Sequence, residues 1–271
     1  MGDKWCLDNE QTMKDSAGGK QGSKLDCCDP IATEEALIQS APLPHERVLF
    51  WGSGSPQAWR VLIVLEEKNI LYRGVCVTFS SGVLKSPFFR SINPRMRVPV
   101  LIEPMDKVTG SRTTLYECSA ILEYVERTYP GRPCMPSSSN LARFAIAEMR
   151  FHESNELLSV LGDLITYLRR VSSEERNQTL LNKKLSQVEV ELNLWESYLT
   201  GNAFLVDSNQ PYLCDFTLFT NLAYAVRCGL QLDGLYPRLA MLYTRICARP
   251  SVQNTWPPHW KLTEGTKILC S

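Results

Sequence analysis

Two serines stand where a helix begins. Val48-Leu49-Phe50-Trp51 reads as a short buried strand, Gly52-Ser53-Gly54 as a turn, and Ser55-Pro56 as the N-cap and first position of a helix. The apolar run Val61-Leu62-Ile63-Val64-Leu65 carries that helix into a core. Serine is a preferred N-cap, and proline at the first helical position forfeits an N–H that has no intrahelical partner anyway. A helix N-terminus, with free N–H groups and the positive end of the dipole, is a ready anion site. A hydroxyl can accept the capping bond and still donate its own proton to an anion. The chemistry open to Ser55 is therefore stabilisation of a bound anion. An ordinary Ser-Pro cap fits the same residues.

The elements that must hold this turn follow in a definite order. After strand 48–51 and helix 56–68 comes strand 74–78, a crossover that makes the two strands parallel. A short helix at 86–91 ends before Asn93-Pro94. Residues 97–102 read as a strand entered through a proline, 112–115 as its hairpin partner, and 117–129 as a helix ending at Pro130-Gly131. The order β-α-β-(α)-β-β-α describes a thioredoxin-like domain over 46–130. Residues 131–139, with their prolines and serines, form a linker. Helical spacing fills 140–262: helices at 141–171, from 172 to about 198, at 212–228 and at 236–248, with 212–228 apolar nearly all round and so central. Pro250, Pro257 and Pro258 are expected to end regular structure, leaving 263–271 as a tail. Residues 1–45 are rich in Gly, Ser, Asp, Lys and Gln and are expected to be a disordered extension outside the fold, with a helical turn only at 33–39. The fold class is thus α/β plus all-α.

Composition narrows the function classes. Lys and Arg number 29, as do Asp and Glu, so the formal net charge is zero and neither nucleic acid nor an anionic membrane is expected as a partner. No apolar run is long enough to span a bilayer, and the polar N-terminus does not read as a signal peptide. Ten cysteines are scattered without a Cys-x-x-Cys pair, and the three histidines lie far apart, so no metal is expected. Cys76, Cys214, Cys228 and Cys247 fall in apolar segments, as reduced core cysteines of a cytoplasmic protein do.

The order of elements, together with Trp51-Gly52-Ser53-Gly54-Ser55-Pro56, Trp59-Arg60-Val61, Leu65-Glu66-Glu67-Lys68-Asn69 and Trp256-Pro257-Pro258-His259-Trp260, resembles the cytosolic glutathione transferases over residues 47–261. The likeness is nearest to the rho class and weaker to the zeta and theta classes. It implies a homodimer that joins the glutathione thiolate to small hydrophobic electrophiles in detoxification, with glutathione as co-substrate and no other cofactor. In the serine-type classes the hydroxyl after the first strand donates to the glutathione sulfur, a role that falls on Ser55, with Ser53 in its glycine-flanked turn as runner-up. Lowering a thiol from about 8.5 by two pKa units corresponds to roughly 2.7 kcal/mol, within reach of one charge-assisted hydrogen bond and a helix N-terminus.

The same resemblance assigns the rest of the site. Asn93-Pro94-Arg95-Met96-Arg97-Val98-Pro99 matches a turn whose proline is cis. The Val98 backbone would pair with the cysteinyl unit of glutathione, and Arg97 would hold the glycine carboxylate; an edge-strand proline and a solvated surface arginine are the structural alternatives. Glu117-Cys118-Ser119-Ala120-Ile121 matches the helix start that receives the γ-glutamyl group, with Glu117 facing its ammonium. Cys118 departs from the family's serine and Leu84 from its frequent histidine, with Lys85 as the neighbouring candidate to replace it. Each loss is worth about 1 kcal/mol of affinity. Tyr212-Leu213-Cys214-Asp215 stands in place of a capping box, so Asp215 is expected to bond the Tyr212 N–H. The two departures keep a second function class open, a non-catalytic binding or scaffold protein on the same fold.

Overall fold

The computed structural model describes residues 30–269. The part of the expected extension before Pro30 lies outside the described residues. Among the described residues the chain divides into two compact units, one holding 30–133 and Gln253–Leu262, the other Cys134–Val252 and 263–269.

The first unit is thioredoxin-like. Helix α1 (Glu34–Gln39) precedes strand β1 (Val48–Trp51), helix α2 (Pro56–Glu67), strand β2 (Arg73–Cys76), helix α3 (Pro87–Ile92), strands β3 (Val100–Met105) and β4 (Arg112–Tyr116), and helix α4 (Cys118–Thr128). The sheet runs β2-β1-β3-β4, with β1 and β2 parallel and the other pairs antiparallel. All four residues of β1 are buried, and so is nearly every residue of α2 from Ala58 to Leu65. The C-terminal end of α2 turns at Asn69, whose φ of 52° is the left-handed conformation that Asn tolerates better than most residues.

The extension differs from its reading. Residues 30–45 are not excluded from the fold but close one edge of this sheet. Ile31 bridges Val77 in parallel, its N–H donating to the Cys76 carbonyl at 2.8 Å and its carbonyl accepting from Thr78 at 2.9 Å. Thr33 caps α1, Leu37 is fully buried, and Glu34 accepts the Phe88 N–H at the start of α3. Arg73 and Arg112 donate to the Ser40, Pro42 and Leu43 carbonyls. Polar composition concealed this because the segment is held mainly through its backbone, covering an otherwise open edge.

The second unit is all-helical. It contains α5 (Leu141–Arg170), α6 (Gln178–Tyr198), α7 (Leu213–Arg227) and α8 (Pro237–Cys247). Helix α7 is buried almost throughout, as its composition demands. The expected helix from 172 is split: a 3-10 turn at Ser173–Glu175 precedes α6, which Asn177 caps. The Asp215 carboxylate accepts the Tyr212 and Leu205 N–H groups, both at 2.8 Å. Tyr212 does not cap through its hydroxyl, which bonds Asp207 and Gln210 instead.

The late prolines also differ from their reading. Pro250 and Pro258 begin the short helices α9 (Pro250–Asn254) and α10 (Pro258–Leu262) rather than ending regular structure. Proline's fixed φ suits a first helical position as well as it suits a stop. Cys76, Cys214 and Cys228 are free thiols, whereas Cys247 is disulfide-bonded. Among the described residues no helix is long and apolar enough to cross a membrane.

Candidate functional site

Strand register gathers the candidate residues. Phe50 pairs with Val100, Val100 with Tyr116, and Trp51 with Cys76. The turn after β1, the Val98–Pro99 step before β3 and the Glu117-Cys118 step after β4 therefore leave the sheet at the same end. All of them lie in the N-terminal unit.

Ser55 is half-buried at the N-cap of α2 with extended backbone angles. Its Oγ accepts the Ala58 N–H at 3.3 Å, which leaves the hydroxyl proton available to a further acceptor. The turn is closed by the Ser55 N–H donating to the Gly52 carbonyl at 3.1 Å. Gly54 requires its residue type: its φ is 80°, and a Cβ there would come within 2.8 Å of His259 Cε1. Ser53, the second candidate donor, places its Oγ 2.5 Å from His259 Nδ1.

The Val98–Pro99 bond is cis. Val98 is buried, and no backbone hydrogen bond to it occurs among the described residues. The loop before it is held by Asn93, whose side chain accepts the Arg95 N–H and donates to the Arg97 carbonyl. Arg97 is exposed and makes no ion pair among the described residues. Glu117, the N-cap of α4, has φ 69° and ψ 112°, a region that strains any residue with a Cβ and recurs at functional sites. Its exposed carboxylate lies 3.5 Å from Arg95. Cys118 is buried at the first position of α4, its Sγ 3.6 Å from the Arg60 guanidinium. Leu84 sits half-buried and Lys85 exposed in a 3-10 turn.

Two features were not foreseen. Arg60, on α2, is fully buried and sets a cation beneath the start of α4; a single arginine in a helical pattern reads as a surface residue, so nothing in the sequence marks it. The other is the segment around Trp256-Pro257-Pro258-His259-Trp260. Trp59 donates to Thr255 at 3.0 Å and packs edge-on against Trp256 and Trp260. This seats the segment on the turn that carries both serines. Two prolines between two tryptophans were the available signal. Cys76, opposite Trp51, is no competing nucleophile: burial pushes its thiol up, only partly offset by a backbone hydrogen bond from Ser53.

Comparison with known proteins agrees with this architecture. The family model described as glutathione S-transferase, N-terminal domain, matches residues 54–128, and the one described as glutathione S-transferase, C-terminal domain, matches residues 161–250. Glutathione S-transferase A of Pleuronectes platessa is 34% identical over 223 residues, covering 80% of this chain and 94% of that protein. Among solved structures, a glutathione S-transferase from the Antarctic clam Laternula elliptica superposes with a TM-score of 0.74 at 31% identity, covering 83% of this chain and 98% of the other. The glutathione transferase URE2P8 from Phanerochaete chrysosporium, solved with oxidized glutathione, shares the fold at 21% identity, with a TM-score of 0.69 over 82% of this chain and 98% of that one. The chain belongs to the glutathione S-transferase family.

Proposed function

We propose that the protein is a serine-type glutathione transferase, nearest in class to the rho enzymes, that conjugates the glutathione thiolate to small hydrophobic electrophiles. The observation that carries the reading is the common sheet end, where Ser55, the Val98–Pro99 step and the Glu117-Cys118 helix start emerge together. Glutathione is a tripeptide with an anion at each end and a thiol between. A helix N-terminus with a spare hydroxyl suits the thiolate, and the unpaired Val98 backbone suits the central peptide. Arg97, an exposed cation, suits the glycine carboxylate. The start of α4, with the Cys118 N–H and the Arg60 charge behind it, suits the γ-glutamyl carboxylate, and Glu117 suits its ammonium.

Ser55 does not act as a nucleophile in this scheme. Glutathione brings its own, and the protein's part is to favour the anion by a directed O–H bond and the dipole of α2. A homodimer and a cytoplasmic location go with the same reading. Retention on immobilised glutathione, then turnover of a chlorodinitrobenzene, tests it. Ser55→Ala should keep the column behaviour and lower turnover at neutral pH by about tenfold to a hundredfold, the worth of a hydrogen bond to a charged group. A folded protein that is neither retained nor active would overturn it.

One observation favours a second reading, a non-catalytic glutathione-fold binding protein. Position 118 carries a thiol, a weak donor, in place of a hydroxyl, and the side chain is buried against Arg60. Retention without turnover under all conditions would select this reading.

A further inference from the structure

Ser53 is met by a residue distant in sequence: its Oγ lies 2.5 Å from Nδ1 of His259, 206 positions along the chain. His259 is itself fixed, by Pro257 and Pro258 before it and by Trp260 after it, whose ring meets His259 at 6.1 Å and Trp59 at 5.5 Å. The contact is therefore built into the turn.

The two hydroxyls of the turn are committed differently. Ser55 spends a lone pair on the Ala58 N–H and keeps its proton to donate. When the proton of neutral imidazole is on Nε2, Ser53 donates to Nδ1 and keeps its lone pairs to accept. A thiol that is to become a thiolate needs both partners: an acceptor for its proton and a donor for the anion left behind.

We propose that Ser53 and His259 form a proton relay that receives the thiol proton of glutathione bound over Ser55. This rests on the glutathione reading above. The S–H bond breaks and its proton passes to Ser53 Oγ, while the Ser53 hydroxyl proton passes to His259 Nδ1. The electron pair stays on sulfur as thiolate, accepting from the Ser55 O–H, and the imidazole becomes imidazolium. Net charge is conserved: a neutral thiol and a neutral imidazole become an ion pair. The imidazolium stays beside the thiolate, its Nδ1–H donating back to Ser53 Oγ, and favours the anion it faces. Ser53 touches the reacting atom, and His259 is the positioning residue behind it.

The test uses the full chain and the variants Ser53→Ala and His259→Asn, singly and together. Asparagine keeps an acceptor oxygen near the place of Nδ1 but takes no proton at neutral pH. Each protein is assayed for turnover, for the ultraviolet absorbance of bound thiolate across pH, and for binding of S-methylglutathione, which has no thiol proton. Each single variant should lower kcat about a hundredfold, the lower range for a positioned proton acceptor. Each should also raise the pH at which bound thiol ionises, with S-methylglutathione affinity unchanged and the double variant no worse than either single one. Wild-type ionisation in both single variants would overturn the relay alone. So would an equal loss of S-methylglutathione affinity, which would make the pair a structural clip. Failure of the unaltered protein to bind S-methylglutathione or glutathione would overturn the glutathione reading and the relay with it.

Discussion

Replacing Ser55 by aspartate separates capping from anion stabilisation, because the two roles respond in opposite directions. Aspartate caps as well as serine, and it would accept the Ala58 N–H that Ser55 accepts at 3.3 Å. Its negative charge also favours the N-terminus of α2 by about 0.3–1 kcal/mol. The melting temperature should therefore hold or rise slightly. Toward a thiolate the effect is large and adverse. An ionised carboxylate has no proton to donate, so a charge-assisted bond worth about 1.5–3 kcal/mol disappears. It also sets a like charge beside the sulfur: at about 4 Å and an effective dielectric constant near 20 the repulsion is about 4 kcal/mol, or about three pKa units. The bound thiol should then ionise near or above its free value of about 8.5, and conjugation at neutral pH should fall by at least about a hundredfold. The assay pairs thermal unfolding with the absorbance of bound thiolate as a function of pH. Ser55→Gly is the companion variant, since glycine at an N-cap costs only a few tenths of a kcal/mol and removes the hydroxyl. A Ser55→Asp protein that ionises glutathione as the unaltered protein does would refute the reasoning and leave Ser55 as a helix cap.

Two further outcomes concern the frame. Leu37, fully buried on α1, should cost about 2–4 kcal/mol when replaced by alanine. A shift of the urea midpoint within the range of a surface change, about 0.5 kcal/mol, would mean that α1 stands outside the cooperative unit. Asp215 gives a pH signature. Burial raises its carboxyl from 3.8 to about 6, against two backbone N–H donors that favour the anion. The folded state thus binds this proton more tightly than the unfolded state. The group's contribution to stability is greatest below about pH 4, declines by up to about 3 kcal/mol as pH rises to about 6, and is flat beyond. Asp215→Asn should abolish that decline, so unfolding free energies of the two proteins, measured in urea at several pH values, should converge or cross over this window. Parallel curves would count against it.

What the sequence made legible were features whose cause is local. The Ser55 cap with Pro56 behind it, the four apolar residues of β1 and the apolar circumference of α7 each follow from a few adjacent residues. The cis Val98–Pro99 bond and the Asp215–Tyr212 bond came from the family pattern rather than from the residues themselves. What stayed hidden depends on partners far along the chain. Ile31 becomes part of the sheet only because β2 has an open edge. Arg60 is buried with its guanidinium 3.6 Å from Cys118 at the start of α4, 58 positions on. Gln253–Leu262 joins the N-terminal unit through Trp59, 196 positions before Thr255, which offers it an indole N–H and ring contacts, and through the Ser53–His259 bond.

That last dependence sets the two serines apart. On sequence alone Ser53 and Ser55 are alternatives for one task, because a glycine-flanked turn can present either. Once His259 sits against Ser53, the hydroxyls are no longer equivalent. The Ser53 oxygen is committed to an imidazole, and the Ser55 oxygen to the Ala58 N–H. Deleting one hydroxyl should therefore never be rescued by the other. Gly54 shares in this division: a side chain there would strain the turn at a φ of 80° and crowd the imidazole that meets Ser53.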